Sequence, residues 1–121
     1  MKLAVPVYPF LSDYRQAWGL GASTSAYEEL VYYFRLFDPN HEREDAIFNK
    51  LGYIDISNLA ERIQAKVLFV TGLADTICPP STQFATYNRI RSDKELVVYH
   101  EYGHEYIPGL SDRTLQAFLE L

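Results

Sequence analysis

The sequence predicts an α/β fold with about three parallel strands and flanking helices. Two apolar runs in the second half of the chain, residues 67–71 and 95–99, have the length and the composition of buried strands. A third apolar run, residues 2–7, opens the chain. Helical patterns lie between and after these runs. Such an alternation of strand and helix is typical of a parallel sheet that is covered by helices.

Length and composition narrow the range of functions. At 121 residues the chain forms at most one domain, and its net charge of −5 offers no basic stripe for nucleic acid. No stretch has the length of a membrane span, and the first residues lack the pattern of a signal peptide. The single cysteine, Cys78, permits no internal disulfide and fits a reducing compartment, so we expect a cytoplasmic protein.

The first half of the chain predicts one strand, one loop and two helices. Pro6 removes one donor from the strand at residues 2–7, and Pro9 favours a loop over residues 8–14. Ser23 or Thr24 can cap a helix that runs to about Phe37. The side chains expected on its buried face are Tyr27, Leu30, Val31 and Phe34.

A second helix and a short turn are predicted before the central strand. Residues 38–40 end the first helix, and residues 41–51 form the next. The side chains expected to be buried there are Ile47, Phe48 and Leu51. Asp55 then caps a turn that runs through Leu59 to Ile63.

The second half predicts two more helices around the last strand. Residues 79–90 begin with proline, which is tolerated in a first turn, and Phe84, Ala85 and Asn88 share one face. The closing helix is capped by Ser111 or Asp112, and its inward side chains are expected to be Leu115, Phe118 and Leu119. Because three strands make a thin sheet, apolar surface should remain uncovered and the chain should self-associate.

Two polar side chains follow the two best-defined strands. Asp75 comes shortly after Gly72, where the first apolar run stops, and His104 lies in a Gly-His-Glu turn after the second run. Each alone could be an ordinary turn residue. Together they fit the acid and the base of a nucleophilic triad, because the carboxyl ends of parallel strands share one edge. The order acid then histidine is that of the α/β-hydrolases.

The nucleophile of such a triad is not evident in the sequence. None of the serines that we considered, Ser12, Ser81 and Ser111, lies in a Gly-x-Ser-x-Gly context. Cys78 lacks the flanking small residues of a nucleophile elbow, so we interpret it as a small buried hydrophobic residue.

Metal and cofactor sites are not predicted. The one group of potential ligands that we considered lacks the His-x-x-x-His spacing of a helical metal site. It consists of His100, Glu101, His104 and Glu105. We therefore expect neither a metal nor a cofactor.

Several stretches of the chain resemble one family of enzymes. GLADTICPPSTQFATYN (residues 72–88) resembles the acid-bearing segment of the acetyl xylan esterase and cephalosporin C deacetylase family, and KELVVY (94–99) and YGHEYIP (102–108) resemble its next segment. YPFLSD (8–13) is similar to the loop after the family's sixth strand. The resemblance implies an α/β-hydrolase fold, removal of acetyl groups from short acetylated sugars and from cephalosporin C, and roles for Asp75 as triad acid and His104 as triad base.

The resemblance extends only to the C-terminal part of that family. Its serine lies in a Gly-Gly-Ser-Gln-Gly-Gly elbow upstream of the point where this sequence begins. Residues 1–121 are therefore expected to be a partial α/β-hydrolase domain that carries the acid and the base but not the nucleophile, with little activity alone. The expected partners are an acetylated oligosaccharide or a similar small acetyl ester, and either further copies of the chain or the missing N-terminal part.

Two alternatives remain open. The chain could be a non-catalytic module that self-associates or completes a partner chain. It could also be an independent small hydrolase that uses Cys78 or Ser81 as its nucleophile.

Overall fold

The fold is built on a small parallel sheet, as predicted. The computed structural model describes residues 1–21 and 26–121. Within these residues the sheet has the order β1 (Leu3–Ala4), β2 (Lys66–Gly72) and β3 (Lys94–Tyr99), and both neighbouring pairs are parallel. The predicted α/β class with three parallel strands and flanking helices is confirmed.

The first strand is shorter than the predicted residues 2–7. Its ladder with β2 is interrupted at Pro6, which has no N–H to donate. The Pro6 carbonyl still accepts from the N–H of Val70 at 2.9 Å, and a single bridge between Val7 and Val70 resumes the pairing. The chain therefore stays beside β2 up to Tyr8.

Helices flank these strands. They are α1 (Tyr14–Gly19), α2 (Glu28–Phe37), α3 (Glu44–Leu51), α4 (Ile56–Leu59) with a 3₁₀ turn at Ala60–Arg62, α5 (Pro80–Arg89) and α6 (Leu110–Leu119). No helix among the described residues is long and apolar enough to cross a membrane.

The beginnings of three helices differ from the predictions. The prediction did not include α1, which starts within the predicted loop, where the Asp13 side chain accepts from the N–H of Gln16. The predicted caps of α2, Ser23 and Thr24, lie outside the described residues, and α2 begins at Glu28. Helix α3 begins at Glu44 rather than at residue 41, because the Asp38 carboxylate accepts from the backbone N–H groups of Glu42 and Arg43.

Asp55 caps α4 as predicted and has a wider structural role. Its carboxylate accepts from the backbone N–H of Ser57 at 2.8 Å and also from those of Asp13 and Tyr14 at 2.9 and 3.0 Å. This buried carboxylate therefore joins the start of α1 to the start of α4.

Apolar side chains pack on both faces of the sheet. One face contacts α6 through a cluster of Leu3, Leu68, Val70, Val97 and Ile107. The other faces α4 and α5 through Ala60, Val67, Phe69 and Ile90. A separate cluster joins α1, α2 and α3 through Tyr14, Ala17, Tyr27, Phe34 and Phe48.

The buried face of α5 is polar, and it is not the face that Phe84, Ala85 and Asn88 share. Thr82, Gln83 and Thr86 are buried, whereas Asn88 is exposed and Phe84 and Ala85 are only half-buried. The amide of Gln83 donates to the Asp75 carboxylate and to the Cys78 carbonyl. Hydrogen bonds of Gln83 therefore hold α5 against the Asp75 loop, in addition to the apolar contacts of its C-terminal end.

The orientation of α6 also differs from the prediction. Gly109 precedes the helix with φ of 77°, and Ser111 and Asp112 lie in its first turn instead of capping it. Leu115, Phe118 and Leu119 point outward, with exposed fractions of 59, 47 and 78%. Leu110 and Ala117 contact the core instead. On α2, the predicted buried residue Val31 is likewise exposed.

Candidate active site

The two predicted site residues lie on neighbouring loops at one edge of the sheet. The last pair in the β2–β3 register is Gly72 with Tyr99, so the two strands end level with each other. Beyond this pair, the N–H of Leu73 donates to the Tyr99 carbonyl and the N–H of Ala74 donates to the Tyr102 carbonyl, both at 3.0 Å. The loops that carry Asp75 and His104 are therefore bonded directly to each other.

Two glycines make this close approach possible. A β-carbon at Gly72 would overlap the carbonyl oxygen of Tyr102, and one at Gly103 would lie 3.0 Å from the carbonyl oxygen of Ala74. No larger residue fits between the two loops at position 72 without a shift of the backbone.

The Asp75 carboxylate is fully buried and is surrounded by N–H groups. Oδ1 accepts from the backbone N–H groups of Ile77 at 2.9 Å and Cys78 at 2.8 Å. Oδ2 accepts from Nε2 of Gln83 at 3.3 Å and lies 3.1 Å from Nδ1 of His104. These hydrogen bonds compensate the carboxylate for its removal from water and fix the direction of Oδ2.

His104 has the geometry of a general base that is oriented by a carboxylate. Because Oδ2 of Asp75 can only accept, Nδ1 of His104 carries the proton and Nε2 carries the lone pair. About a third of the side chain is exposed, at 32%. The ring of Tyr8 packs against the imidazole, with ring centroids 4.6 Å apart. The imidazole is therefore held on its Nδ1 side, and Nε2 carries the lone pair that a base needs.

Cys78 lies beside this pair, but its thiol is poorly suited to attack. It is almost completely buried, and the burial, together with the Asp75 charge, raises the pKa of the thiol to about 12. At neutral pH the sulfur is therefore protonated, whereas the thiolate is the nucleophile. This supports the interpretation of Cys78 as a small buried residue.

The other candidate nucleophiles lie in ordinary structural positions. Ser12 is buried and donates to the Pro9 carbonyl at 3.1 Å. Ser81 is exposed in the first turn of α5, and Ser111 is exposed in the first turn of α6. Ser81 is thus no better placed than Cys78 to act as an independent nucleophile.

Asp75, Cys78 and His104 also bring three potential metal ligands within 4.8 Å of one another. Both carboxylate oxygens of Asp75 already accept N–H groups, and the thiol of Cys78 holds its proton. A cation would have to displace these partners, so the donor set fits a metal poorly. In the group considered from the sequence, the Glu105 carboxylate instead accepts from the N–H of Gly103 at 3.0 Å.

Two residues of this site, Tyr8 and Gln83, were missed by sequence reasoning. Gln83 lies on α5, where the sequence pattern singled out only the face of Phe84, Ala85 and Asn88. Tyr8 lies in a segment that was predicted only to be a loop. The resemblance of residues 8–13 to a family loop was the one available signal for Tyr8.

Comparisons with known proteins point to one family. A family model described as acetyl xylan esterase (AXE1) matches residues 1–121. Acetyl xylan esterase 1 from Thermoanaerobacterium sp. JW/SL YS485 is 53% identical with a TM-score of 0.95, and the match covers 99% of this chain and 38% of that one. An acetyl xylan esterase from Paenibacillus sp. R4 is 42% identical with a TM-score of 0.89, covering 98% and 37%.

A shorter match is to acetyl esterase Axe7A of Xylanibacter ruminicola. It is 36% identical over 50 residues, which are 41% of this chain and 11% of that protein. The chain thus spans less than two fifths of the length of each of these relatives. Because the family model matches the whole of residues 1–121, the chain belongs to the acetyl xylan esterase family.

Proposed function

We propose that residues 1–121 supply the acid and the base of a carboxylic ester hydrolase that removes acetyl groups from acetylated sugars. The observation that carries the proposal is the 3.1 Å contact between Oδ2 of the buried Asp75 and Nδ1 of His104. Membership of the acetyl xylan esterase family supports the esterase activity and suggests acetylated sugars as substrates. On this proposal the 121 residues are the C-terminal part of an α/β-hydrolase domain.

The chemistry is that of a serine hydrolase. Nε2 of His104 takes the proton of a serine hydroxyl as the serine oxygen attacks the acetyl carbonyl carbon. His104 then gives this proton to the departing sugar oxygen, which leaves an acetyl-serine that water hydrolyses by the same proton transfers. The serine comes from the upstream part of the family's fold, as the sequence resemblance implies, and we propose that the oxyanion-hole donors lie in that part too.

Asp75 supports both proton transfers. Its Oδ2 holds the Nδ1 proton of His104, so that the lone pair stays on Nε2, and its charge stabilises the imidazolium that forms. Because the two backbone N–H groups on Oδ1 keep the carboxylate in place, little reorganisation is needed when His104 becomes charged.

The same chemistry implies little activity without the serine. An acid–base pair alone offers general-base catalysis, which accelerates a reaction by about 10²–10⁴-fold at most. The further acceleration that an oxyanion hole provides would be absent. We therefore propose that the chain works together with a nucleophile-bearing part. The outward apolar side chains of α6 support contact with further protein, either that part or a second copy.

A non-catalytic module is the second candidate, and these outward side chains favour it equally. The buried Asp75 carboxylate favours the enzyme, because a scaffold alone has no need of a carboxylate that binds an imidazole.

We also propose that the protein is cytoplasmic, because the single, buried Cys78 suits a reducing compartment.

The proposal can be tested by grafting. Residues 1–121 replace the matching segment of the Thermoanaerobacterium enzyme, and hydrolysis of p-nitrophenyl acetate and acetylated xylo-oligosaccharides is measured. We expect activity from the grafted protein and almost none from the 121-residue chain or from the parent without its matching segment. A grafted protein that folds cooperatively but releases no acetate would contradict the proposal.

A further inference from the structure

Tyr8 has an unusual backbone conformation beside His104. Its φ is 31°, in the positive region that bulky side chains rarely adopt, and the same loop holds Leu11 and Asp13 at φ of 60° and 48°. Strain of this kind persists only where the surrounding structure imposes it, and it is concentrated at functional sites. The conformation thus calls for an explanation in the contacts that Tyr8 makes.

Three contacts hold Tyr8 in this conformation. Its N–H donates to the Val70 carbonyl on the central strand at 2.8 Å, which fixes the backbone. Its ring lies against the imidazole of His104, at 4.6 Å between centroids and an interplanar angle of 51°. Its hydroxyl donates to the carbonyl of Glu105, the residue after His104, at 2.5 Å.

We infer that Tyr8 is a positioning residue for His104. Asp75 holds the imidazole at one atom, Nδ1, and a single hydrogen bond leaves the plane of a partly exposed ring free to tilt. The ring of Tyr8 packs against the imidazole at a tilt, and its hydroxyl binds the carbonyl of the next residue, Glu105. Together these contacts keep Nδ1 directed at Asp75 and Nε2 directed at the reacting group. The contribution of this positioning to catalysis rests on the proposed function, but the positioning of the ring itself does not.

The alternative is that Tyr8 only fills the core, because it also packs against the cluster on the α6 side of the sheet. A packing role and a positioning role predict different behaviour of the His104 ring. Loss of packing lowers stability without changing which ring nitrogen carries the proton. Loss of positioning lets water compete for Nδ1 and shifts the proton towards Nε2.

The test uses ¹⁵N-labelled 121-residue chain and NMR of the histidine ring nitrogens above the pH range in which histidines usually titrate. Tyr8→Phe removes only the hydroxyl contact, and Tyr8→Leu removes both contacts. Tyr106→Leu is the matched control, because Tyr106 is 75% exposed in the same loop as His104. The exposed His100 in each sample shows the tautomer mixture of an unrestrained ring.

We expect the fraction of His104 with its proton on Nδ1 to fall in the order wild type, Tyr8→Phe, Tyr8→Leu. In Tyr8→Leu this fraction should approach the value for the His100 ring. Tyr106→Leu should match the wild type. A folded Tyr8→Leu chain with the wild-type fraction would overturn the inference. A wild-type chain in which His104 already resembles His100 would instead contradict the Asp75 contact on which the proposed function depends.

Discussion

Gly72 lies so close to the carbonyl oxygen of Tyr102 that a β-carbon at position 72 would overlap it. This contact sets the distance between the loop that carries Asp75 and the loop that carries His104. The hydrogen bond from Ala74 to the same carbonyl, at 3.0 Å, depends on the same approach. The acid–base pair is thus assembled by the backbone at the end of the sheet as well as by its own side chains.

Gly72→Ala should therefore separate the two loops. We expect a loss of about 1–3 kcal/mol in the free energy of unfolding, as for overpacking in a core. The His104 proton should also shift away from Nδ1. Chemical denaturation and ring-nitrogen NMR measure the two effects. Gly19→Ala is the control, because no atom lies within 4 Å of a β-carbon there, and it should be neutral or slightly stabilising.

Asp75→Asn should preserve the shape of the site and remove its function. The amide oxygen can still accept from the N–H groups of Ile77 and Cys78, but the amide nitrogen then faces His104 and favours the wrong tautomer. We expect kcat of the grafted esterase to fall by roughly 10⁴-fold, the loss that the same change causes in a serine protease triad. Glu101→Gln, an exposed acid near His104 in the chain, should leave kcat unchanged.

The buried thiol of Cys78 should make stability depend on alkaline pH. Its pKa is about 12 in the folded chain against an ordinary value of 9. Because the pKa is higher in the folded chain than in the unfolded one, the protonated thiol contributes to the free energy of unfolding. This contribution is fully present below about pH 9 and is lost as the pH rises towards 12. Denaturation between about pH 8 and 10.5 should show a steeper loss for wild type than for Cys78→Ala. Parallel curves for the two proteins would argue against a buried thiol.

The outward side chains of α6 should drive self-association of the 121-residue chain. Phe118 is 47% exposed, so Phe118→Lys should leave the fold intact while it breaks the apolar surface. Sedimentation velocity at micromolar concentration should show association of wild type and a larger monomer fraction for the variant. Leu36→Lys, at a 67% exposed position on α2, is the control and should behave as wild type. The opposite ranking of the two variants would place the contact on α2.

The positions of Asp75 and His104 could be predicted because each follows a strand that is recognisable from composition alone. The buried face of α5 could not be predicted, because hydrophobic periodicity does not detect polar burial. Gln83 is buried there by hydrogen bonds to Asp75 and Cys78. The α6 pattern correctly indicated an apolar face. Periodicity does not reveal what covers such a face, and Leu115 and Phe118 remain exposed among the described residues.

The most direct test of His104 as the base is the rate of acetate release by the grafted esterase with His104→Ala, compared with His100→Ala. His104 contacts the Asp75 carboxylate, whereas His100 is exposed between β3 and the His104 turn. We expect the first variant to lose roughly 10⁴–10⁶-fold in kcat, because triad members act as a unit, and the second to keep its activity. Comparable rates for the two variants would contradict the assignment of His104 as the base.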